Sequence, residues 1–294
     1  MKKIIALLMA VALAFAFAAC NGKDDQPVSN NNEVVDNDNQ VEDPVDEPVE
    51  ASLVILEDSL APEEYGIGFA KDNDALCYAV EAALVELQKN GTYAQISEKW
   101  FGADNSIFTS DADVANVDTA ALPETLKLGL DASFPPMGYT DDYGTIVGFD
   151  IDLAQAVCDY YGIALEPIPI DWNAKDMELA AGNIDCIWNG LTITEDRLEG
   201  YSMSKPYLSN RQVVVVAANS GINTLADLAG KSVALQSDSS ASEALEANEE
   251  VNASIADKVE LTENLSALLE LQAGSVDAVV MDEVVARYVL SNEL

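Results

Sequence analysis

The sequence predicts an α/β fold for the part of the chain that follows residue 51. Short apolar runs alternate there with segments of helical periodicity, the pattern of a domain in which strands and helices follow one another. Residues typical of turns and helix ends lie at the boundaries, for example Asp142-Tyr143-Gly144 and Gly162. No tandem repeat interrupts this pattern.

The first predicted elements are a strand and an amphipathic helix. Residues 52–56 form an apolar run typical of a strand, and Gly91 marks the end of the helix that follows. The apolar face of this helix consists of Leu76, Val80, Ala83, Leu84 and Leu87.

A second strand is predicted where Leu126, Leu128 and Leu130 alternate with other residues. Asp150 is placed to cap a helix over 151–161 that ends at Gly162. The further predicted elements are a strand near 165–170, a helix near 174–181, and strands at 184–188, 212–217, 232–235 and 278–281, with helices between the last three.

The N-terminus predicts export. Lys2 and Lys3 precede an apolar run over 4–17 that is too short for a retained membrane span, which indicates a signal peptide over 1–19. The residues around Cys20 resemble a bacterial lipobox, although Phe17 stands where Leu is preferred. We expect Cys20 to carry lipid and to anchor the chain to the outer face of the plasma membrane, at the cell surface or in the periplasm. An ordinary signal peptide with a chance cysteine is the alternative.

The stretch 20–50 is rich in Asn, Asp, Glu, Val and Pro and has no helical or strand period. This composition predicts a disordered acidic linker between the lipid and the folded domain. Over such a length a flexible chain reaches on the order of 30 Å.

The composition excludes several classes of function. The net charge of −38 makes nucleic acid an unfavourable partner, and the absence of histidine excludes Ser-His-Asp and Cys-His catalysis and His-ligated metal sites. No metal or cofactor is expected. Cys77, Cys158 and Cys186 fit buried apolar positions, and a bridge between Cys158 and Cys186 stays open.

The order of the sequence is unusual. Residues 63–102, EEYGIGFAKDNDALCYAVEAALVELQKNGTYAQISEKWFG, resemble the C-terminal end of the family 3 amino-acid-binding proteins of bacterial ABC importers. The N-terminal pattern of the same family begins only at Leu122, with LPETLKLGLDASFPPMGYTDDYGTIVGFDIDLAQAV. After YVLSNEL at the end of the chain the family would continue into a strand similar to the one at 52–56.

This resemblance implies a two-lobed periplasmic-binding-protein type II fold with a central sheet in each lobe and two crossover strands, circularly permuted so that the new ends are near 52 and 294. The solute-binding domain is then 52–294. Lobe 1 comprises 64–108 plus 122–208, lobe 2 comprises 209–294 plus 52–63, and 109–121 is the permutation linker. A dozen residues extend on the order of 40 Å, so the linker can close within one chain and leave a monomer. A swapped dimer is the alternative.

The resemblance also implies a ligand site. In the segment Asn189 to Arg197, Arg197 is similar to the family's arginine that forks onto the ligand carboxylate, and Thr192 would add a backbone N–H. Gly190 would let the backbone approach the ligand. The alternative for Arg197 is a surface ion pair with Glu195 or Glu199.

Two aspartates match the family's acidic positions. Asp282, after a predicted buried strand, is the expected partner of the ligand's ammonium, and Asp131 is a second acidic position. A helix cap and a turn aspartate are the alternatives.

The other expected contacts are aromatic or polar. Core packing is the alternative for the two aromatic residues, and Asp238 and Ser240 stand where relatives often have glycine. The remaining candidate ligand-binding residues are Phe134, Trp172, Asn189, Gln236, Ser239 and Ser240.

The function implied by the resemblance is that of an extracytoplasmic receptor. It binds a free, polar L-amino acid between its lobes and delivers it to the transmembrane subunits of an ABC importer, and it is not an enzyme. The alternatives are a dehydratase of the cyclohexadienyl type on the same fold, and an amino-acid-sensing lipoprotein without transport.

Overall fold

The computed structural model of the protein describes residues 52–292. The predicted signal peptide (1–19), Cys20 and the predicted linker (20–50) lie outside the described residues. The strands are β1 Leu53–Phe69, β2 Thr125–Leu130, β3 Ser133–Phe134, β4 Gly138–Thr140, β5 Ile146–Val147, β6 Ala164–Pro169, β7 Cys186–Thr192, β8 Ser202–Met203, β9 Leu208–Ala217, β10 Ser232–Gln236, β11 Asp257–Leu261 and β12 Ala278–Asp282. The α-helices are α1 Asp74–Lys89, α2 Thr92–Phe101, α3 Phe149–Tyr161, α4 Lys175–Ala180, α5 Glu195–Gly200, α6 Ser240–Ala247, α7 Glu249–Ser254, α8 Asn264–Gln272 and α9 Glu283–Asn292.

The larger of two sheets has the order β11-β10-β12-β9-β1-β7-β2-β6, with β8 paired to β1. Pairs β10-β11, β10-β12, β2-β6 and β2-β7 are parallel, as in other α/β domains, whereas β1 is antiparallel to both neighbours. This arrangement confirms the predicted α/β class. We call β9, β12, β10 and β11 the first half of the sheet, and β7, β2 and β6 the second half.

Strand β1 joins the two halves. Its residues from Leu53 to Tyr65 pair with β9, and from Tyr65 to Phe69 they pair with β7. The sequence predicted only 52–56 as strand because the charged residues Glu57 and Asp58 interrupt the apolar pattern. Two irregularities in register, on either side of Ser59, accommodate this interruption and let the strand continue.

The core covers both faces of the sheet. On β9, Val213 and Val215 belong to one apolar cluster, while Val214 and Val216 belong to another. A strand buried on both faces is typical of an α/β sheet covered by helices. Cys77, Cys158 and Cys186 are buried free thiols, so the bridge between Cys158 and Cys186 is not formed.

The predicted capping role of Asp150 is wrong. Helix α3 begins at Phe149, two residues before the predicted start at 151, and its N-cap is Gly148 with φ of 151°. A Cβ atom at Gly148 would lie 2.1 Å from the carbonyl oxygen of Met137, so this position requires glycine. The Asp150 carboxylate instead accepts hydrogen bonds from the Gly190 N–H (2.8 Å) and the Tyr207 hydroxyl (3.0 Å).

The segment between α2 and β2 contains two single 3-10 turns, Val114–Asn116 and Thr119–Ala121. Asp113 and Asp118 cap them by accepting hydrogen bonds from backbone N–H groups. Ser110 donates a hydrogen bond to Glu81 of α1 (2.8 Å). The segment is therefore held against α1 by specific contacts.

Two classes of feature are not found among residues 52–292. No helix there has the length and apolar character needed to cross a bilayer. Within the same range, no group of three or more Cys, Asp and Glu residues is arranged to hold a metal ion.

Candidate ligand-binding site

A pocket lies beside β1 and β9, where the two halves of the sheet meet. All eleven residues that the sequence singled out lie around it, brought together from strand ends and helix starts in both halves. They are Asp131, Phe134, Trp172, Asn189, Gly190, Thr192, Arg197, Gln236, Ser239, Ser240 and Asp282.

Arg197 is buried, with 8% of its surface exposed, and is fixed by a hydrogen bond from Nη1 to the Thr192 carbonyl oxygen (2.8 Å). The nearest carboxylate is that of Glu243, 3.9 Å from Nη2. Within 52–292, Arg197 forms no ion pair with Glu195 or Glu199, so the alternative drawn from the sequence does not hold there. A guanidinium held in this way can offer its other N–H groups to a carboxylate.

Gly190 lies in the middle of β7 with φ of 59°, a conformation that favours glycine. A Cβ atom there would lie 2.9 Å from Phe134 Cε1 and 3.1 Å from Tyr65 Cε2. The Gly190 N–H is bound by Asp150, and burial raises the pKa of that carboxyl group to about 7. The backbone next to the pocket is thus held from behind by a fully buried acid.

Asp282 is the last residue of β12 and is 4% exposed. Its Oδ1 accepts hydrogen bonds from the Tyr65 hydroxyl (2.5 Å) and from Asn210 Nδ2 (2.8 Å). Burial, and then the charge of Glu63, raises the pKa of Asp282 well above its ordinary value.

Asp131 follows β2 and meets Gln236 from the other half of the sheet. Gln236 Nε2 donates to Asp131 Oδ2 (2.7 Å), and its Oε1 accepts from Asn264 Nδ2 (2.9 Å). The Ser133 N–H donates to Asp131 Oδ1 (2.9 Å), the hydrogen bond of a turn aspartate. Burial raises the pKa of Asp131, in spite of these hydrogen bonds to its carboxylate.

Further polar contacts connect the two halves across the pocket. Thr192 Oγ1 lies 3.0 Å from Ser240 Oγ, and the Ser237 hydroxyl donates to Asn173 Oδ1 (2.9 Å). Lys175 forms an ion pair with Asp238, whose φ of 53° is a conformation that favours glycine. The structure therefore has the two halves in contact around the pocket.

The two aromatic residues belong both to the pocket and to the core. Phe134 is 6% and Trp172 is 7% exposed, and each is part of an apolar cluster. Lys175 Nζ lies 5.3 Å from the centre of the Trp172 ring, within the range of a cation-π contact. The core-packing alternative and the pocket position are thus compatible.

Several residues that support the pocket were not found from the sequence: Glu63, Tyr65, Lys175, Asn210 and Gln212. Asn210 and Gln212 lie two positions apart on β9, so they share a face and both hydrogen-bond to Glu63. Two polar residues at alternate positions before the valine run of β9 are the signal in the sequence that could have indicated Asn210 and Gln212.

Comparison with known proteins identifies the chain's family. The sequence profile of the bacterial extracellular solute-binding proteins, family 3, matches residues 18–103 and 126–270. The chain belongs to this family. The type II periplasmic-binding-protein fold predicted for it is confirmed by its structural neighbours.

Individual relatives agree with this placement. The L-cystine-binding protein TcyJ of Escherichia coli (strain K12) is 29% identical over 164 residues, which are 55% of this chain and 60% of that protein. The lysine/arginine/ornithine-binding periplasmic protein of the same strain is 32% identical over 168 residues, 57% of this chain and 64% of that protein. The chain therefore spans less than two thirds of the length of these two curated relatives.

A solved structure shows the same similarity. It is an ABC uptake transporter substrate-binding protein from Streptococcus pneumoniae with bound histidine, and it superposes with a TM-score of 0.57 at 38% identity. The match covers 57% of this chain and 70% of that one.

Proposed function

We propose that this protein is an extracytoplasmic receptor that binds a polar L-amino acid in the pocket between the two halves of its sheet and delivers it to an ABC importer. The observation that carries the proposal is one buried arginine and two buried aspartates around a single pocket with two aromatic rings. An amino acid has the complementary charges. Arg197 binds its carboxylate, Asp282 binds its ammonium, and Phe134 and Trp172 enclose its carbon chain.

Ligand binding closes the two lobes in this proposal. Lobe 1 (64–108 and 122–208) supplies Arg197 and Asp131, while lobe 2 (209–294 and 52–63) supplies Asp282 and the Ser239 loop. Only the closed arrangement presents all of these groups to one ligand, so the ligand selects that arrangement. The contacts from Gln236 to Asp131 and from Lys175 to Asp238 support the closed state.

The permuted order and the membrane anchor are parts of the same proposal. Strand β1 begins in lobe 2 and continues into lobe 1, and it lies between β9 and β7 in the sheet. The contacts of 109–121 with α1 support closure within one chain as a monomer. Lipid on Cys20 keeps the receptor at the outer face of the membrane, beside the importer's transmembrane subunits.

The matched relatives are named for the amino acids they bind, which supports a binding protein over an enzyme. We find no observation that favours a dehydratase.

Isothermal titration of the purified protein against each common L-amino acid and L-cystine tests the proposal. Saturable heat with one or a few of them is expected. Arg197→Ala removes the charged partner of the carboxylate, which costs about 2–5 kcal/mol and weakens binding by a factor of about 30 or more. The matched control is Arg287→Ala, because that arginine is exposed and pairs with Glu283 on its own helix. Thermal unfolding checks that both variants are folded. Equal ligand affinities of the two folded variants would contradict the role of Arg197 in the site.

A further inference from the structure

Glu63 is a second acidic group at the Asp282 end of the pocket, and it has no role in the function proposed above. It is on β1, paired with Asn210 where β1 and β9 run side by side. Its Oε2 accepts a hydrogen bond from the pocket residue Thr192 (3.0 Å), and its Oε1 accepts one from Gln212 Nε2 (2.9 Å). Glu63 therefore contacts residues of both halves of the sheet beneath the pocket.

The carboxyl groups of Glu63 and Asp282 are neighbours. Asn210 Nδ2 is 2.5 Å from Glu63 Oε1 and 2.8 Å from Asp282 Oδ1, so these oxygens are separated by no more than the sum of those two distances. A single amide nitrogen thus serves both acids. Two carboxyl groups this close cannot both ionise without an energetic cost.

The groups around this pair do not supply a compensating cation. From β1 it faces the Tyr65 hydroxyl, and from β9 it faces the amides of Asn210 and Gln212. From β7 it faces the Thr192 hydroxyl, and the Ser240 hydroxyl of α6 accepts a hydrogen bond from Gln212 Nε2 (3.2 Å). Within the described residues neither Glu63 nor Asp282 forms a salt bridge with Lys or Arg.

The charged groups nearby are directed elsewhere. Arg211 of β9 binds Glu283 of α9 (2.6 and 2.7 Å), and Arg287 binds the same carboxylate. Arg197, at the far side of the pocket, binds the Thr192 carbonyl oxygen, and its nearest acid is Glu243. The raised pKa of Asp282, caused by burial and then by the charge of Glu63, agrees with a pair that holds a proton.

We propose that Glu63 is the second carboxyl group of the ammonium subsite, and that the Glu63–Asp282 pair exchanges one proton for the ammonium of the ligand. Without ligand, the pair holds one proton and has a charge of −1. When the ligand binds, its ammonium keeps its own three protons, the shared proton leaves to solvent, and two carboxylates face one cation. The inference rests on the proposed function, because it requires a ligand with an ammonium group.

Isothermal titration tests the proton exchange separately from the receptor function. The amino acid that gives heat in the screen described above is titrated again in phosphate and in Tris at equal pH, because the difference in heat between these buffers counts the protons released. We expect the wild type to release up to about one proton per ligand, and to lose up to about tenfold in affinity per unit as pH falls from about 8 to about 5.5.

The matched variants are Glu63→Gln and Glu64→Gln. In Glu63→Gln the new side-chain amide oxygen can still accept hydrogen bonds from Asn210 and Gln212, and the charge of Glu63 no longer raises the pKa of Asp282, whereas burial still does. Proton release should therefore be smaller in this variant than in the wild type. Glu64 is exposed on the same strand, so its variant should behave as the wild type. Because Asp131 is unchanged in both, its own titration cancels in the comparison.

Each outcome decides the inference. Heat without proton release in the wild type, or proton release that Glu63→Gln leaves unchanged, overturns the exchange and leaves the receptor function intact. No heat from any amino acid overturns the receptor function, and the exchange with it. If Glu63→Gln does not fold, Asp131→Asn takes its place: proton release should persist in that variant, and its loss there would assign the proton to Asp131 and overturn the exchange.

Discussion

Gly190→Ala tests whether the backbone of β7 is shaped for the pocket. The new methyl group would lie 2.9 Å from Phe134 Cε1 and 3.1 Å from Tyr65 Cε2, at a φ of 59°. A non-glycine residue in the left-handed region costs about 1–2 kcal/mol, and overpacking of a tight site costs about 1–3 kcal/mol more. For a domain of this size, a loss of about 2–5 kcal/mol corresponds to a fall in the unfolding midpoint of roughly 5–15 °C.

The two rings do not yield equally. Tyr65 is fully buried and its hydroxyl is bound to Asp282, whereas Phe134 is next to the pocket and can move into it. We therefore expect ligand affinity to fall about tenfold or more, since about 1.4 kcal/mol is enough for that change. Thermal unfolding measures the loss of stability, and isothermal titration measures the loss of ligand affinity.

Gly221→Ala is the matched control. Gly221 also has a positive φ, 78°, but nothing lies within 4 Å of the place its Cβ would take. This variant should lose only the backbone contribution of about 1–2 kcal/mol and bind ligand as the wild type does. Equal losses of stability in the two variants, with ligand affinity unchanged in Gly190→Ala, would refute the close approach of Phe134 and Tyr65.

Two further predictions concern an acid behind the pocket and an ion pair across it. Burial raises the pKa of Asp150 to about 7, so its contribution to stability is full below about pH 4 and is lost as pH rises to about 7, on the order of 4 kcal/mol in total. Denaturant unfolding should show that the free energy of unfolding declines over this pH range in the wild type and in the exposed control Asp159→Asn, but not in Asp150→Asn. Parallel pH profiles for all three proteins would contradict this role of Asp150. Asp238→Asn removes the charged partner of Lys175. Because the Asp238 side chain is 56% exposed, solvent screens this ion pair, and we expect ligand dissociation to be only about two- to fivefold faster in stopped-flow measurements. Asp277→Asn, whose Lys231 partner is in the same half of the sheet, should dissociate at the wild-type rate, and equal rates for both variants would argue against a role of the Lys175 ion pair in closure.

The α/β pattern could be predicted because apolar alternation marks buried strands locally. The strand predicted around Leu126 begins and ends within one residue of β2, and Gly162 ends α3 as predicted. Strand β7 was misplaced because its inner residues Asn189 and Gly190 do not fit an apolar strand. They are there because the end of β7 forms a wall of the pocket, so the site displaces the ordinary strand pattern.

The pocket residues could be named because their positions match short motifs of the family, but the residues that hold them could not. Lys175 follows Trp172 in a stretch that reads as an exposed helix start, yet it is 3% exposed because Asp238 from a distant loop pairs with it. Asp150 was read as a cap from its neighbours alone, whereas its partners are Gly190 and Tyr207. Such contacts depend on where separate strands meet, which sequence spacing does not specify.

Glu63 is another residue whose partners come from separate strands. In the sequence it is one of two adjacent glutamates after a proline, a pattern typical of a solvated surface. In the fold, the alternation of β1 directs Glu64 outward and Glu63 towards Gln212 and Thr192. The strand that joins the two halves therefore places an acid next to Asp282. In the proposed exchange, this junction links ligand charge and pH through a single proton.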